Sequence, residues 1–196
     1  MAGANGQTDV LQRMVNAVER VRQRLLLATG ALAKAGVAHA VVGGNAVAAW
    51  VATVDEAAVR NTQDVDILIR REDFARAKAA LEAAGMVHRA AAGIDLFLDH
   101  PAAKARDAVR IVYAREFVRA GEPQPNPDVD ASTDLGQFRV LDPEALVSIN
   151  LTAFRDKDRT HVRDLIGIGL VDGSWPARLP EPLGGRLQSL LDTPEG

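Results

Sequence analysis

The sequence contains no cysteine, few aromatic residues, no excess of positive charge and no long apolar run. The absence of cysteine excludes disulfides, thiolate nucleophiles and cysteine-based zinc sites, and it agrees with a reducing compartment. Lys and Arg number 23 against 26 Asp and Glu, so the chain lacks the global basic field typical of duplex nucleic-acid binding. Aromatic residues make up 4%, which argues against the base-stacking surfaces of single-strand binders.

No uninterrupted apolar stretch is long enough to span a bilayer, and the N-terminus has neither the basic nor the apolar region of a signal peptide. We therefore expect a soluble, cytoplasmic protein without a membrane partner. The length of 196 residues suits one domain, or a compact domain with a smaller lobe, and allows a substantial core.

The first part of the chain alternates helical and strand patterns. Apolar residues at three- and four-residue spacing predict an amphipathic helix from Val10 to about Lys34. The patterns that follow predict a strand over 37–42, a helix over 46–51, a strand over 64–69, a helix over 72–84, and strands over 87–91, 94–98 and 109–113. This order predicts an α+β fold in which helices flank a mixed sheet.

Spaced prolines mark a boundary in the second part of the chain. Residues 121–137 are predicted to form a proline-rich loop, because prolines interrupt both helices and sheet ladders. Helices are predicted beyond it, over 142–154, 159–168 and 182–191. The predicted organisation is an N-terminal helix packing on the core (1–36), a core (37–120), the loop (121–137) and a helical C-terminal lobe (138–196).

Gly43 and Gly44 follow the first predicted strand and precede a helix. A glycine pair lets the backbone turn sharply and bring N–H groups close to an anion, and the helix adds its positive N-terminal end. The turn is therefore a candidate phosphate site, with Asn45 as a third nucleotide-binding residue. A turn without a ligand also requires glycine, and Asn45 is equally interpreted as a simple N-cap.

Asp64 and Asp66 are two residues apart on a predicted strand, so both carboxylates project from one face. That spacing suits one or two hard divalent cations. The alternative is a solvated strand face with two acids. Like charges side by side on a strand repel each other, a cost that a bound cation would convert into a gain, and this favours the metal interpretation.

Basic residues offer further candidates for phosphate contacts. The guanidinium of Arg60 suits phosphate oxygens, or it pairs with a nearby acid. Lys157, between two arginines and two acids, lines a nucleotide or acceptor groove, or belongs to a solvated charge run. The histidines have no zinc-site spacing and are interpreted as surface or packing residues: His39, His88, His100 and His161.

Together, Gly43-Gly44 and Asp64-Val65-Asp66 resemble the signature of the nucleotidyltransferase superfamily, which includes DNA polymerase β, the minimal nucleotidyltransferases and abortive-infection nucleotidyltransferase toxins. Arg60-Asn61-Thr62-Gln63 is similar to the Arg-x-Thr stretch that precedes the acids in the toxin-like branch. Residues 151–165 resemble the helical motif that this branch carries after its sheet. The resemblance implies the nucleotidyltransferase fold over most of the chain.

The resemblance also implies an activity. It implies a Mg²⁺-dependent transfer of a nucleoside monophosphate (NMP) from a nucleoside triphosphate (NTP), such as ATP, to a hydroxyl on RNA, a protein or a small molecule. Asp64 and Asp66 would hold the metal, and a third carboxylate would complete the catalytic set. Asp95 fits the third position best, with Asp99 second, although turn or edge-strand roles explain both equally well.

Two positions depart from the family pattern. Arg110 places a cation where another strand would have offered an acid. Relatives often carry lysine at the position of Asn150, which leaves Lys157 as the candidate phosphate partner. Two alternatives therefore stand beside the enzyme: an inactive nucleotide- or partner-binding module of the same fold, and a toxin silenced by an antitoxin partner.

Overall fold

The computed structural model describes residues 3–193, and the predictions for the chain ends beyond them lie outside this range. Seven strands form one sheet in the order β3-β4-β5-β2-β1-β7-β6. They are β1 (His39–Val42), β2 (Val65–Ile69), β3 (Val87–Ala91), β4 (Ile94–Leu98), β5 (Val109–Tyr113), β6 (Ser132–Asp134) and β7 (Arg139–Leu141). The pairs β2/β5 and β1/β7 are parallel and the other pairs are antiparallel, so the predicted mixed sheet is confirmed.

Helices cover both faces of the sheet. They are α1 (Gly3–Lys34), α2 (Gly43–Ala52), α3 (Phe74–Ala83), α4 (Pro143–Ala153), α5 (Asp156–Gly167) and α6 (Leu183–Asp192). Helices α1 and α3 pack against each other, and α1 also contacts β1, β2 and β5. Helix α2 lies on β1 and β2 and contacts α4 and α5. The predicted α+β fold is therefore confirmed, and the face under α2 and α5 carries the candidate site.

The long helix α1 is buried along only part of its length. Leu25, Ala28 and Leu32 recur every three or four residues and are buried against the core, as an amphipathic pattern predicts. Apolar residues nearer its start are exposed: Val10, Leu11, Met14, Val15 and Val18. No helix within residues 3–193 is long and apolar enough to cross a membrane.

The short strands β6 and β7 are the elements that sequence patterns miss. Each has three residues, and β6 lies inside the stretch predicted as a loop. β7 pairs with β1, so the described part of the predicted C-terminal lobe, residues 138–193, contributes a strand to the central sheet as well as three helices. The lobe boundary itself stays a prediction.

Candidate functional site

The turn between β1 and α2 is shaped around a carboxylate. Gly43 has a φ of 66°, in the left-handed region that favours glycine, and a Cβ atom there would lie 2.6 Å from Oδ2 of Asp66. A Cβ atom on Gly44 would lie 2.8 Å from Oγ1 of Thr62. Val42, which precedes α2, supplies no side-chain cap, so the first N–H groups of the helix are available beside Asp66.

Asn45 connects this turn to β2. Its side-chain Nδ2 donates a hydrogen bond of 2.6 Å to the backbone oxygen of Asp64. Asn45 lies within the first turn of α2, whereas the N-cap position belongs to Val42. The side chain therefore holds the residue that carries one of the two candidate metal ligands.

Asp64 and Asp66 face the same cleft, as their spacing predicts. Asp66 pairs in register with Arg110 of the parallel strand β5, so their side chains share one face of the sheet. The Nε atom of Arg110 lies 2.8 Å from Oδ1 of Asp66, and its Nη2 atom donates to Oδ2 of Asp64 at 3.2 Å. One guanidinium thus bridges both carboxylates.

Asp66 is only partly satisfied by this contact. Its Oδ1 atom is buried and makes no hydrogen bond, because the nearby N–H of Arg110 is not aligned with it. Burial raises the pKa of Asp66, and the positive charges of Arg110 and Lys157 oppose this effect. A buried carboxylate oxygen that makes no hydrogen bond is a feature that a cation would satisfy.

Lys157 and Arg60 both line the smaller cavity of this cleft. Lys157, in the first turn of α5, places Nζ 3.9 Å from Oδ2 of Asp64. Arg60 lies in the loop before β2, and its Nη1 is 3.5 Å from Oδ1 of Asp164. Lys157 is thus near the candidate metal ligands, whereas Arg60 pairs with an acid in the way that its alternative interpretation describes.

Asp95 does not join this cluster. On β4, Leu96 pairs with Arg110 and shares its face, so the neighbouring Asp95 points to the opposite face of the sheet. There Tyr113 donates a hydrogen bond of 2.6 Å to one oxygen of Asp95, and His88 Nε2 lies 2.7 Å from the other. Asp95 is therefore not positioned to complete the metal site, and this corrects the expectation.

The second choice for a third carboxylate, Asp99, is also engaged elsewhere. Arg24 of α1, which is buried, donates to both oxygens of Asp99 in a bidentate ion pair. The side chain ties α1 to the end of β4. Asp99 is therefore a structural acid in this fold.

The cleft consists of two adjoining cavities of about 280 and 440 Å³. Three residues line both of them: Asp66, Lys157 and His161. The smaller cavity also reaches Gly44, Arg60 and Thr62, and the larger one reaches Gly43, Arg110 and Asn150. Two ligands could therefore meet at Asp66.

Sequence reasoning missed His161 as a residue of this cleft. It lies one turn after Lys157 on α5, and Nε2 is 3.3 Å from the position a Cβ atom on Gly44 would take. The four-residue spacing from Lys157 was the available signal, because residues i and i+4 share a helix face.

The donor set fits a magnesium ion that arrives with phosphates. Within residues 3–193 no group of three or more His, Cys, Asp or Glu side chains could hold a metal, which argues against a metal held by protein ligands alone. Mg²⁺ is usually bound by one or two carboxylates together with substrate phosphates. Asp64 and Asp66 match that requirement, and Oδ1 of Asp66 makes no hydrogen bond in the protein alone.

Comparison with known proteins connects the fold to an activity class. A family model described as uncharacterised nucleotidyltransferase matches residues 8–147. None of the curated proteins matches the sequence. The solution structure of the antibiotic-resistance factor ANT(2'')-Ia is similar at a TM-score of 0.51 and 14% identity, over 92% of this chain and 90% of that chain. It supports the fold alone.

A second solved structure is less similar. JHP933 from Helicobacter pylori has a TM-score of 0.45 and 16% identity, over 91% of this chain and 74% of that chain, and this score is too low to carry an argument. The family match confirms the predicted nucleotidyltransferase superfamily. The closer relation to abortive-infection toxins stays a prediction.

Proposed function

The chain belongs to the family of uncharacterised nucleotidyltransferases, and we propose that it transfers NMP from a magnesium-bound NTP to a hydroxyl acceptor. The observation that supports this most strongly is the carboxylate pair, Asp64 and Asp66, which faces one cleft beside the N-terminus of α2. Carboxylates next to a helix N-terminus can bind a metal-bound triphosphate. The carboxylates attract the metal ion, and the positive end of the helix attracts the phosphates.

In the proposed reaction, the N–H groups of the Gly43–Asn45 turn bind the oxygens of the β and γ phosphates. Lys157 adds a positive charge next to Asp64. The acceptor oxygen forms a bond to the α phosphorus, while the bond from that phosphorus to the oxygen bridging to the β phosphate breaks. Pyrophosphate leaves, and the NMP stays on the acceptor.

Asp64 and Asp66 would hold Mg²⁺, which when bound neutralises phosphate charge and lowers the pKa of the acceptor hydroxyl. An ion at Oδ2 of Asp64 or Oδ1 of Asp66 would displace Arg110, whose guanidinium contacts both of these oxygens in the protein alone. The released guanidinium would lie beside the leaving pyrophosphate, whose charge it can balance.

A second candidate function is nucleotide binding without transfer, and Arg110 favours it. The guanidinium occupies the strand position next to Asp66, where the resemblance leads us to expect a third acid. An internal cation that neutralises both carboxylates can replace a metal in a binding module.

Transfer of label from [α-³²P]NTPs separates these candidates. The wild-type protein is incubated with MgCl₂ and each NTP, in the presence of bulk tRNA, a protein mixture or an aminoglycoside. We expect labelled acceptor from the wild type and none from Asp64→Asn or Asp66→Asn. Asp9→Asn, whose side chain is 62% exposed on α1, is the matched control and should remain active.

Titration calorimetry with the same Mg-NTPs completes the test. Binding without transfer to any acceptor would support the binding module instead. Equal transfer by wild type and Asp66→Asn would contradict the metal-binding role of the pair. The acceptor itself stays open among RNA, protein and small molecule, and the net charge of -3 only mildly disfavours RNA.

A further inference from the structure

His161 presents one ring nitrogen to the point where the two cavities meet. The ring lines both cavities, together with Asp66 and Lys157. Its Nε2 atom lies 3.3 Å from the position that a Cβ atom on Gly44 would take, and a Cβ atom on the adjacent Gly43 would lie 2.6 Å from Oδ2 of Asp66. This nitrogen has no hydrogen-bond partner within residues 3–193.

Asn150 fixes which ring nitrogen of His161 carries the proton. The buried side chain of Asn150 donates from Nδ2 to the carbonyl oxygen of Leu146 at 2.7 Å. A carbonyl can only accept, so the amide orientation is determined and Oδ1 must face the other way. Oδ1 lies 3.2 Å from Nδ1 of His161, which therefore donates. The neutral ring then keeps an unprotonated Nε2 toward the cleft.

The other acids that line the cleft are already engaged. Asp158 accepts from the backbone and side chain of Arg155, and Asp164 pairs with Arg60. Glu116 forms an ion pair with Arg71, and Glu122 accepts the backbone N–H of Val118. Each of these carboxylates therefore already accepts from a partner through at least one oxygen, whereas Nε2 of His161 has no such contact within the described residues.

We propose that Nε2 of His161 is the general base that takes the proton of the acceptor hydroxyl, and that Asn150 is its positioning residue. This inference rests on the proposed NMP transfer. As the acceptor oxygen bonds to the α phosphorus, its proton moves to Nε2, and the bond to the leaving pyrophosphate breaks. The imidazolium then returns the proton to solvent.

The surroundings of His161 keep it neutral and able to accept. Burial lowers the pKa of His161 below its usual range, and Lys157 and Arg60 lower it further, whereas Asp158 and Asp164 raise it.

The tautomer can be tested in the wild-type protein without an acceptor. Two-bond ¹H–¹⁵N correlation spectra at pH 7.5 should show a protonated Nδ1 and an unprotonated Nε2 for His161. Asn150→Leu removes the acceptor for Nδ1–H and should produce a mixture of tautomers. A protonated Nε2 in the wild type would overturn the inference.

The catalytic role is tested on the labelled transfer with saturating Mg-NTP. His161→Gln should lower kcat by about 10²–10⁴-fold, the usual contribution of a general base, with little change in the KM for the NTP. Imidazole added to His161→Ala should restore part of the rate, which a purely structural role would not allow. His100→Gln, at an exposed position, is the control and should behave as wild type.

The pH profile gives an independent readout. The wild-type kcat should fall as pH drops through a pKa below the usual histidine value of about 6.5, and His161→Gln should lack this limb. A folded His161→Gln with the wild-type rate and profile would overturn the base assignment while the transfer itself stood. A wild type that binds Mg-NTP and transfers to no acceptor would overturn both proposals. If the variants fail to fold, the tautomer of His161 in the wild-type spectra tests the proposal: a protonated Nε2 would overturn it.

Discussion

At the level of single residues, Gly43 is subject to two separate constraints. Its φ of 66° is strained for any residue with a side chain, and its Cα faces Oδ2 of Asp66 at a distance that leaves no room for a Cβ atom. Gly36 has almost the same φ, 65°, but a Cβ atom there would have no neighbour within 4 Å. A comparison of alanine substitutions at the two positions therefore separates the cost of backbone strain from the steric role of Gly43 beside Asp66.

Gly43→Ala and Gly36→Ala should both lose stability, by about 1–2 kcal/mol from the left-handed backbone. Gly43→Ala should lose more, and it alone should lose Mg-NTP binding, because the new methyl group displaces Asp66. Urea unfolding and titration calorimetry measure the two effects. Wild-type Mg-NTP affinity in Gly43→Ala would contradict the turn's role in the site.

Arg110 competes with a metal ion for the same two carboxylates. Arg110→Met keeps the length of the side chain and removes its charge, so it should raise the affinity for Mn²⁺, used as a spectroscopic substitute for Mg²⁺. We expect about a tenfold gain, which corresponds to roughly 1.4 kcal/mol. Electron paramagnetic resonance of free Mn²⁺ measures it.

Arg106→Met is the control for this measurement, because Arg106 is exposed outside the cleft and its loss changes the net charge equally. It should leave Mn²⁺ affinity unchanged. Weaker Mn²⁺ binding by Arg110→Met would show that the guanidinium supports the metal site instead of competing with it.

At the level of secondary-structure elements, strand alternation decides which acids meet. The spacing of Asp64 and Asp66 predicts their common face, and the structure agrees. The spacing does not indicate which strand lies next to β2. In the sheet, β5 lies between β4 and β2. Asp95 was therefore predictable as a strand acid, but its face depends on long-range pairing that one sequence does not contain.

Asp95→Asn should destabilise the protein by about 2 kcal/mol, because it weakens two hydrogen bonds to a charged acceptor. Mg-NTP binding should stay at the wild-type level, since Asp95 lies on the opposite face from Asp66. Urea unfolding and calorimetry test the two expectations together. Loss of Mg-NTP binding in a stably folded Asp95→Asn would show that Asp95 takes part in the nucleotide site after all.

The same contacts determine how the stability difference between the wild type and Asp95→Asn depends on pH. Burial raises the pKa of Asp95, but hydrogen bonds from Tyr113 and His88 outweigh it, so the net pKa is lowered. The stabilisation is therefore complete above the unfolded value of about 3.9 and is lost as pH falls through the folded pKa. The stability difference between wild type and Asp95→Asn should be constant from neutral pH to about pH 4 and shrink below it.

At the level of the whole molecule, one large apolar core joins the predicted parts, and a smaller apolar cluster around Leu96 and Leu98 lies beside it. Buried members of the large core include Leu25 of α1, Phe97 of β4, Leu146 of α4 and Leu187 of α6. The helices of this core were predictable from periodicity and caps. β7 was not, because three residues carry too little pattern, and its pairing with β1 is what connects the C-terminal residues to the sheet.

The shared core predicts one cooperative unfolding transition. The two tryptophans report on different parts: Trp50 lies on α2, and Trp175 lies in the segment between α5 and α6. Trp175→Phe and Trp50→Phe each leave one reporter, and urea midpoints within each variant should be the same by fluorescence and circular dichroism. Separate midpoints would show that the C-terminal helices unfold as an independent lobe.

The predictable half of the site is the turn and the acid pair, because both depend on local geometry. Arg110 and His161 enter the cleft through a parallel strand pair and a helix packing that bring distant residues together. The sequence indicates that Arg110 is a cation in the place of an acid, but its bridge to both carboxylates depends on the strand register.

The central claim is that Asp64 and Asp66 support transfer of the α phosphate, and the most direct measurement follows two labels in parallel reactions. With wild-type protein, Mg²⁺ and an acceptor, label from [α-³²P]NTP should appear on the acceptor, and label from [γ-³²P]NTP should appear in pyrophosphate. Folded Asp66→Asn should give neither product. Label from the γ position on the acceptor, or transfer that is unchanged in Asp66→Asn, would contradict the claim.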